Sequence, residues 1–385
     1  MRVAIDARYV REKPSGIGTY VRALVERLPA AAPRDDFYFW AHPLARRPLS
    51  PAPNAAEIVV RPGPNSPLPV WWPSRYASFD RVDVFHSPHN MLPRGVRCAT
   101  VVTVHDVMAI ERPRLHLQGL ERWVKQTYYP GAVWRAIREA TQIITPSRAA
   151  ADRVMLLEPR AMPRLSVVYE AADPVFTPAS DRAFATRLAS ALIGVDQPFL
   201  LVVGANSATK RHADALAAFA RTVPTPWLLV LVQRQGASPR LARLAHNLGV
   251  ADRVLWLPRV RRSNIVTLMQ AAGALIQPSL YEGFGLPIIE AMACGCPVVA
   301  TDIPVFREIA GDAAAFVPPQ DIPQLGATLR HVVDSPSRRQ EMAAAGLARA
   351  QQFSWARCAA ETLEIYRRAA VSRSRHPPQP LDVPA

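Results

Sequence analysis

The sequence of 385 residues contains few lysines and few cysteines, and it lacks a long apolar segment. Positive charge comes almost entirely from arginine, because the lysines are only Lys13, Lys125 and Lys210. A lysine within a motif is therefore a stronger signal here than it would be in an average chain. No window holds about 18 consecutive apolar residues, which is the length that a transmembrane helix requires. The sequence thus argues against a membrane-spanning helix.

The cysteines and the first residues bear on the cellular compartment. The cysteines are Cys98, Cys294, Cys296 and Cys358. Their spacing is typical neither of a disulfide framework nor of a metal site, so we expect no bound metal. The start, MRVAIDARYV, contains three charged residues and indicates a first strand rather than a secretory signal. We therefore expect a cytoplasmic protein.

The net charge of +15 defines the partner classes that need to be considered. Nucleic acid, an anionic membrane surface and a phosphorylated substrate would each suit a basic protein. The basic excess is spread over both halves of the chain. No compact basic run with interleaved aromatic residues indicates a nucleic-acid groove. We therefore expect no nucleic-acid partner, and we keep an anionic membrane surface as a hypothesis.

Short apolar runs alternate with helical patterns along the whole chain. Runs such as 199–203 (FLLVV) and 227–232 (WLLVLV) are nearly continuous in valine and leucine, as parallel strands buried on both faces are. The pattern predicts two successive doubly wound α/β domains, with a linker around 174–197. Ligands of such sheets bind at the carboxyl ends of the strands. We therefore expect the site in a cleft between the domains.

The same pattern gives the domain boundaries. It predicts an N-terminal Rossmann-like domain over residues 1–180 and a C-terminal one over residues 190–350. A last helix is predicted over roughly 339–369, and its part at 351–370 is assigned as a separate C-terminal segment. Residues 371–385, rich in proline and arginine, are predicted to be disordered.

The most informative stretch is PSLYEGFGLPIIEAMACGCPVVATD, residues 278–302. A predicted strand precedes it, and Pro287 suits the first turn of a helix. Glu282 is therefore a loop residue at a strand end, and Glu290 lies about one turn into the helix. The backbone N–H groups of residues 283–286 can bind an anion, because a helix N-terminus favours negative charge. The alternative is a loop with one surface glutamate and one capping glutamate.

A second motif, LVVGANSATKRHADALAAF, spans residues 201–219. A predicted strand runs into Gly204, and a helix begins after Lys210. The compact ammonium group of a lysine at this junction suits a diphosphate. The alternative is a helix N-terminus with ordinary surface charge.

Two further segments lie at strand ends. In VVTVHDVMAIERP (101–113), His105 and the following aspartate can form a hydrogen-bonded pair or an acid/base group, although a structural role is the alternative. In PSGIGTYVRAL (14–24), Gly16 and Gly18 allow the backbone to approach a ligand at a helix start. The latter segment lacks the third glycine of a dinucleotide-binding fingerprint, so it disfavours a dehydrogenase.

Residues 278–302 resemble the Glu-x7-Glu signature of retaining GT-B glycosyltransferases, in particular those of family 4. The segment REIAGDAAAFVPPQD at 307–321 resembles the usual downstream segment of that family. The stretch around His105 is similar to that of family members that include bacterial mannosyltransferases. The resemblance implies the α/β GT-B fold, in which two doubly wound Rossmann-like domains face a central cleft. It also implies that the N-terminal domain is the acceptor side and that the last helix returns to it.

The resemblance implies a role for each candidate residue. The implied catalytic residues are Glu282, His105 and Lys210. Of these, Glu282 lies beside the donor sugar, His105 contacts the sugar or a phosphate, and Lys210 binds the diphosphate. The implied donor-binding residues are Gly16, Gly18, Arg211, Val260, Phe284, Gly285, Leu286 and Glu290.

Three of the implied donor contacts need a comment. Glu290 corresponds to the carboxylate that binds the ribose. Val260 would contact the base through its backbone. Thr209 stands where the family usually has an arginine before the lysine, so Arg211 is the candidate for the missing charge.

The activity implied is retaining, metal-independent transfer of a hexose from a nucleotide-diphosphate sugar, with GDP-mannose as the favoured donor. The implied acceptor is a glycan or a polyprenyl-linked glycan in bacterial surface polysaccharide synthesis. The chain has no Asp-x-Asp motif, which the other large glycosyltransferase fold uses to hold a metal and a diphosphate. No cofactor is expected besides the sugar nucleotide, which is a co-substrate.

The expected location is cytoplasmic, with peripheral binding to the inner face of the plasma membrane. Three alternatives stay open at this point. They are a non-hydrolysing sugar-nucleotide epimerase of GT-B fold, a nucleic-acid-binding protein and a catalytically silent sugar-nucleotide sensor.

Overall fold

The chain folds into two compact units. The computed structural model describes residues 1–11, 15–45, 48–71, 73–76, 81–112, 122–233, 236–258 and 260–375. The first unit runs from Met1 to Glu170 and also includes the chain from Trp355 onward, whereas the second runs from Ala171 to Ser354. The first unit is therefore built from both ends of the chain.

The first unit contains a seven-stranded sheet in which all paired strands are parallel. Its strands are β1 (Arg2–Ile5), β2 (Asp36–Ala41), β3 (Ala55–Val59), β4 (Val84–Ser87), β5 (Ala99–Thr103), β6 (Gln142–Thr145) and β7 (Leu165–Val167). Their order in space is β3-β2-β1-β4-β5-β6-β7. The chain thus changes direction across the sheet between β1 and β4, which creates a switch point of the kind where ligands bind.

Five helices are described in the first part of the chain, and a serine side chain caps the start of two of them. They are α1 (Gly16–Ala31), α2 (Pro67–Trp71), α3 (Met108–Glu111), α4 (Arg122–Glu139) and α5 (Arg148–Leu157). Ser15 caps α1 by accepting a hydrogen bond from the Gly18 amide at 3.0 Å. Ser147 caps α5 in the same way by accepting a hydrogen bond from the Ala150 amide.

The second unit contains a six-stranded parallel sheet with the order β10-β9-β8-β11-β12-β13. Its strands are β8 (Phe199–Val203), β9 (Leu228–Gln233), β10 (Val254–Pro258), β11 (Ala274–Gln277), β12 (Val298–Thr301) and β13 (Ala314–Val317). β9, β11 and β12 are wholly buried, as strands covered by helices on both faces are. The predicted architecture of two doubly wound α/β domains is confirmed.

Eight helices cover this sheet or flank it in the described chain. They are α6 (Arg182–Ile193), α7 (His212–Thr222), α8 (Pro239–Asn247), α9 (Arg262–Ala271), α10 (Leu286–Ala293), α11 (Pro304–Ala310), α12 (Ile322–Asp334) and α13 (Pro336–Ala350). The switch point of this sheet lies between β8 and β11.

The last helix, α14 (Trp355–Arg375), is joined to the first unit by buried hydrogen bonds. The hydroxyl group of Tyr366 lies 2.6 Å from Nδ1 of His86 on β4. Nε2 of His86 lies 2.8 Å from Oγ1 of Thr103 on β5, which also bonds the hydroxyl of Tyr20 on α1 at 3.0 Å. Burial, together with the nearby histidines, lowers the pKa of His86 to about 3, so the ring is neutral at ordinary pH.

The predicted linker contains a helix that sequence reasoning missed. Helix α6 lies within the segment 174–197, and the first unit already ends at Glu170. The signals for α6 were present, because Asp181 caps its start and Gly194 ends it in the left-handed conformation. The helix was missed because its apolar stripe is weak: the side chains that α6 buries are small alanines.

The single last helix predicted over 339–369 is wrong, because the structure has two helices, α13 and α14, separated by residues 351–354. The aromatic residues on either side of the break belong to different cores. Phe353 stacks edge-on against Phe284 in the second unit, whereas Trp355 packs against Tyr20 in the first. One continuous helix cannot serve both cores.

The predicted disorder of residues 371–385 also needs correction. Helix α14 continues to Arg375, so disorder at the first residues of this segment is wrong. The rest of the segment lies outside the described residues.

We predict that Tyr366→Phe destabilises the first unit by about 1–3 kcal/mol, because it leaves a buried ring nitrogen of His86 without its partner. The measurement is the free energy of unfolding in urea. The matched control is Tyr38→Phe at a half-buried position on β2, outside this network. Equal stability of the two variants would contradict the proposed anchoring of α14.

Candidate active site

The candidate site in the second unit is built from the loops that follow β8 and β11. These two strands are neighbours at the switch point of the sheet, so their carboxyl ends meet. The first loop runs from Gly204 to Lys210, and the second from Pro278 to Gly285. The Leu280 amide of the second loop donates to the carbonyl of Thr209 in the first at 2.8 Å, which fixes one loop against the other.

Lys210 and Glu282 form an ion pair at this point. The Nζ group of Lys210 donates to Oε1 of Glu282, although the residues are 72 positions apart. The amide of Gln277, at the end of β11, also lies 3.2 Å from the same oxygen. Both side chains of the pair keep some exposure, 21% for Lys210 and 12% for Glu282. Two sequence-predicted catalytic residues are thus in direct contact and within reach of solvent.

Arg211 forms an ion pair with an aspartate in the first turn of α7. Its guanidinium donates two hydrogen bonds to the carboxylate of Asp214, from Nε to Oδ2 at 2.7 Å and from Nη2 to Oδ1 at 2.8 Å. Its backbone is left-handed (φ +49°) and starts helix α7. The structure therefore shows Arg211 in an ion pair within its own helix start, and its phosphate contact stays a prediction.

His212 is a residue that sequence reasoning missed, although it directly follows the lysine and arginine of the motif. Its Nδ1 lies 2.6 Å from Nε2 of Gln233 at the end of β9. Burial and the charge of Lys210 lower the pKa of His212 to about 4, so the imidazole is neutral beside the ammonium group. Of the two neighbouring basic side chains Lys210 and His212, only Lys210 is therefore charged.

Helix α10 presents its N-terminus beside these loops. Its cap residue, Gly285, has φ +105°, and no side chain caps the first amides of the helix. A Cβ at this position would lie 2.9 Å from the ring of Phe306, so both the backbone and the space require glycine. Phe284 is buried and Leu286 is the first helical residue. The predicted amide donors are therefore at a helix N-terminus, where anions are favoured.

Glu290 lies on α10, about one turn from this N-terminus. Its Oε1 atom is 3.5 Å from a guanidinium nitrogen of Arg262, the first residue of α9. The same guanidinium is 3.1 Å from Oδ2 of Asp173. Sequence reasoning missed this cation, since nothing in a linear pattern links three residues so far apart.

Val260, predicted to contact the base, borders a cavity of about 380 Å³. The wall comes from the end of β10, through Leu257 and Pro258, from Asn264 on α9 and from Leu192 on α6. The structure thus places Val260 beside an open space in the second unit, and its base contact stays a prediction.

In the first unit, His105 follows β5, and both of its ring nitrogens face acceptors. Nδ1 lies 3.2 Å from Oε1 of Glu170, and Nε2 lies 2.9 Å from the carbonyl of Pro88. Burial opposes the charged ring, but the hydrogen bond and charge of Glu170 outweigh it and raise the pKa of His105. Its side chain is therefore engaged within the first unit, and its contact with the donor stays a prediction.

The glycines of the first unit have different surroundings. Gly16 begins α1. A Cβ on Gly18 would lie 2.7 Å from the carbonyl of Tyr9, so this glycine is required for packing of the helix against the backbone. The structure gives Gly18 a packing reason in addition to the predicted ligand contact.

A buried charged cluster at the β1–β4 switch point was also missed. Arg8 makes a two-pronged contact with Asp6, and Nε2 of His89 lies 2.9 Å from the same carboxylate. Burial raises the pKa of Asp6, but Arg8 and His89 outweigh it and hold this pKa well below its usual value. The charged residues directly after β1 were the available signal.

Two family models match the chain, one in each half. The model described as Glycosyltransferase Family 4 matches residues 14–176, and the model described as Glycosyl transferases group 1 matches residues 184–349. Together they cover most of the sequence, including the Lys210–Glu282 pair and helix α10. The chain belongs to the group 1 glycosyltransferases. This membership makes it an enzyme of the hexosyltransferase class.

Curated relatives of this glycosyltransferase include two mannosyltransferases. The O-antigen chain mannosyltransferase B of Escherichia coli is 27% identical over 298 residues, which are 74% of each chain. The MMP alpha-(1->4)-mannosyltransferase of Mycolicibacterium hassiacum is 30% identical over 61% of this chain and 56% of the relative. The D-inositol 3-phosphate glycosyltransferase of Mycolicibacterium smegmatis is 34% identical over 63% of this chain and 56% of the relative. The match thus spans little more than half the length of the last two.

Solved structures similar to this glycosyltransferase share its fold over nearly the whole chain. Sucrose-phosphate synthase from Thermosynechococcus elongatus has a TM-score of 0.76 at 20% identity, covering 96% of this chain and 99% of that one. WaaG, described as a glycosyltransferase involved in lipopolysaccharide biosynthesis, has a TM-score of 0.74 at 18% identity, covering 95% and 99%. At such identities the likeness shows the GT-B fold, which is the predicted one.

The described residues contain neither a metal-binding cluster nor a membrane-spanning helix. No group of three or more His, Cys, Asp or Glu side chains in the described ranges is arranged to hold a metal ion. Among the helices described, none has the length and hydropathy that crossing a bilayer needs.

We predict that Gly285→Ala lowers the free energy of unfolding by about 1–3 kcal/mol, because it combines an unfavourable backbone conformation with a clash against Phe306. The measurement is equilibrium unfolding in urea. Gly131→Ala is the matched control, since a Cβ on Gly131 in helix α4 has open space around it. It should raise stability by about 0.5–1 kcal/mol. A Gly285→Ala variant as stable as the wild type would contradict the described turn.

Proposed function

We propose that this group 1 glycosyltransferase is a retaining, metal-independent mannosyltransferase. It moves the sugar of a nucleotide-diphosphate donor, with GDP-mannose favoured, to a glycan or polyprenyl-linked acceptor in bacterial surface polysaccharide synthesis. The observation that carries the proposal is the solvent-accessible Lys210–Glu282 pair at the β8–β11 switch point, beside the N-terminus of α10. This position combines a cation, a carboxylate and the backbone amides of a helix N-terminus.

The diphosphate is the part of the donor that suits Lys210. An ammonium group and a helix N-terminus both attract negative charge, so both stabilise a bound phosphate. The amides of Phe284, Gly285 and Leu286 are the donors at the helix end. Glu290, whose partner Arg262 also pairs with Asp173, then accepts hydrogen bonds from the hydroxyl groups of the ribose.

The reaction breaks the bond between the anomeric carbon and the β-phosphate oxygen. The bond to the acceptor oxygen forms on the same face of the sugar, and the acceptor proton passes to the departing phosphate oxygen. Negative charge grows on the diphosphate as the bond breaks, and Lys210 with the helix amides stabilises it. Glu282 accepts hydrogen bonds from the sugar hydroxyls and orients the ring, so no protein nucleophile is needed.

The donor and the pathway are supported by relatives. The Escherichia coli and Mycolicibacterium hassiacum relatives are both named mannosyltransferases, and the former acts on the O-antigen chain. HepE from Anabaena, which shares the fold at 19% identity with a TM-score of 0.70, is described in complex with UDP and glucose. A test of the base must therefore compare guanosine and uridine nucleotides.

We predict that GDP binds the wild-type protein more tightly than UDP or ADP in calorimetric titrations. Lys210→Met should weaken binding of GDP about 10- to 100-fold, because a charge-assisted contact contributes about 1.5–3 kcal/mol. Arg338→Gln is the matched control, since Arg338 forms an exposed pair with Glu341 at 3.0 Å on helix α13. This control should leave the affinity for GDP unchanged.

Binding of none of the three nucleotides to the wild type would falsify the proposed donor class. Analysis of the reaction products distinguishes a glycosyltransferase from a sugar-nucleotide epimerase. Release of GDP from GDP-mannose only when an acceptor glycan is present supports transfer, whereas conversion of the sugar without an acceptor indicates an epimerase.

The proposal includes an anionic membrane surface as the place where the lipid-linked acceptor is met. Leu68 and Trp71 of the short helix α2 are 46% and 41% exposed. The guanidinium of Arg94 lies 3.5 Å from the centroid of the Trp71 ring, and the Arg94 amide donates to the carbonyl of Val70 at 2.7 Å. An exposed tryptophan beside arginine suits the interface of an anionic bilayer.

We predict that the double variant Trp71→Ser, Arg94→Gln binds vesicles containing phosphatidylglycerol several-fold more weakly than the wild type. The measurement is flotation at physiological salt. Leu156→Ser, which changes an exposed apolar residue on α5, is the control and should bind as the wild type does. A wild-type protein that does not float with these vesicles would rule out this part of the proposal.

A further inference from the structure

Glu290 is held from outside its own helix by a cation that has a second carboxylate partner. Arg262 contributes one guanidinium nitrogen to Oε1 of Glu290 at 3.5 Å and another to Oδ2 of Asp173 at 3.1 Å. The guanidinium also lies over the ring of Phe176, 5.4 Å from its centroid. All four residues belong to the second unit. A planar guanidinium in three contacts has little freedom to turn.

Asp173 is itself fixed by the backbone that follows it. Its Oδ1 atom accepts a hydrogen bond from the Val175 amide at 3.0 Å, and its carbonyl accepts one from the Phe176 amide at 2.9 Å. These hydrogen bonds therefore restrict the movement of the Asp173 carboxylate that faces Arg262. The turn at 173–176 thus holds Asp173 in place. Asp173 orients Arg262, and Arg262 in turn orients Glu290.

The balance of charge in this group indicates the ligand chemistry it accepts. One guanidinium lies between two carboxylates, so this group of three side chains carries an excess of negative charge, whereas one carboxylate, that of Glu282, balances the charge of Lys210. Negative charge disfavours phosphate and favours groups that donate hydrogen bonds, such as the two hydroxyls of a ribose. A glutamate whose rotamer is fixed before binding also loses less conformational freedom when the ligand arrives.

We propose that Arg262 is a positioning residue, which sets Glu290 to accept hydrogen bonds from the ribose hydroxyls of the donor. Asp173 and Phe176 fix Arg262 in turn. This inference rests on the proposed function, because that function gives the nucleoside diphosphate and the ribose role of Glu290. It adds a residue on another helix, and the segment before α6, to the determinants of nucleotide binding.

The test compares the nucleoside diphosphate that binds best with its 2′,3′-dideoxy counterpart and with inorganic pyrophosphate, by calorimetric titration. The wild type should prefer the ribose form at least about 10-fold, and Arg262→Gln should reduce that preference about 5-fold or more. Affinity for pyrophosphate should not change, because pyrophosphate has no hydroxyl that Glu290 could bind. Arg262→Lys keeps the cation without the planar group, so it should fold as the wild type does and show an intermediate preference.

A double-mutant comparison identifies the route of the effect. Glu290→Gln alone should reduce the preference for ribose, and adding Arg262→Gln should then have little further effect. Arg338→Gln, which breaks an exposed arginine–glutamate pair of similar chemistry, should leave the preference intact.

Each other outcome overturns the inference. A full ribose preference in both Arg262 variants would show that Arg262 does not act through Glu290. Equal losses of affinity for pyrophosphate and for the nucleotide would indicate general damage to the unit. Binding of nucleotide by the wild type without any ribose preference would remove the role of Glu290, whereas absence of all nucleotide binding would remove the proposed function itself.

Discussion

The ion pair between Lys210 and Glu282 depends on the strand order of the second sheet. Because β11 lies beside β8 instead of beside β10, two loops that are far apart in the sequence leave the sheet at the same edge. The amide of Leu280 and the carbonyl of Thr209 then join these loops, and the ammonium group meets the carboxylate. The order of the parallel strands thus brings the two loops together, and the side chains of Lys210 and Glu282 supply the chemistry.

Charge is divided between two neighbouring parts of the second unit. The end of β8 supplies the ammonium group of Lys210, and the N-terminus of α10 supplies backbone amides, so both suit phosphate, whereas the group of Glu290, Arg262 and Asp173 has an excess of carboxylate and suits hydroxyls. A nucleoside diphosphate carries both kinds of group in one molecule. Membership in the group 1 glycosyltransferases agrees with a site that binds both the diphosphate and the ribose of a sugar nucleotide. This agreement is the basis of the proposed function.

Sequence reasoning succeeded where local pattern and chemistry agree. Apolar periodicity predicted the two sheets, and glycine and proline at strand ends placed Glu282 in a loop and Glu290 in a helix. It failed where a contact depends on segments that only the fold brings together, as for Arg262, whose partners lie in the turn before α6 and on α10. The break between α13 and α14 was missed for a similar reason, since it follows from two aromatic residues that enter separate cores.

The most direct test of the central claim is a crystal structure of the protein with bound GDP. The account predicts that the diphosphate contacts Nζ of Lys210 and the backbone amides at the start of α10. It also predicts that Glu290 accepts hydrogen bonds from the ribose while still paired with Arg262. A diphosphate bound away from both Lys210 and the N-terminus of α10 would contradict the account.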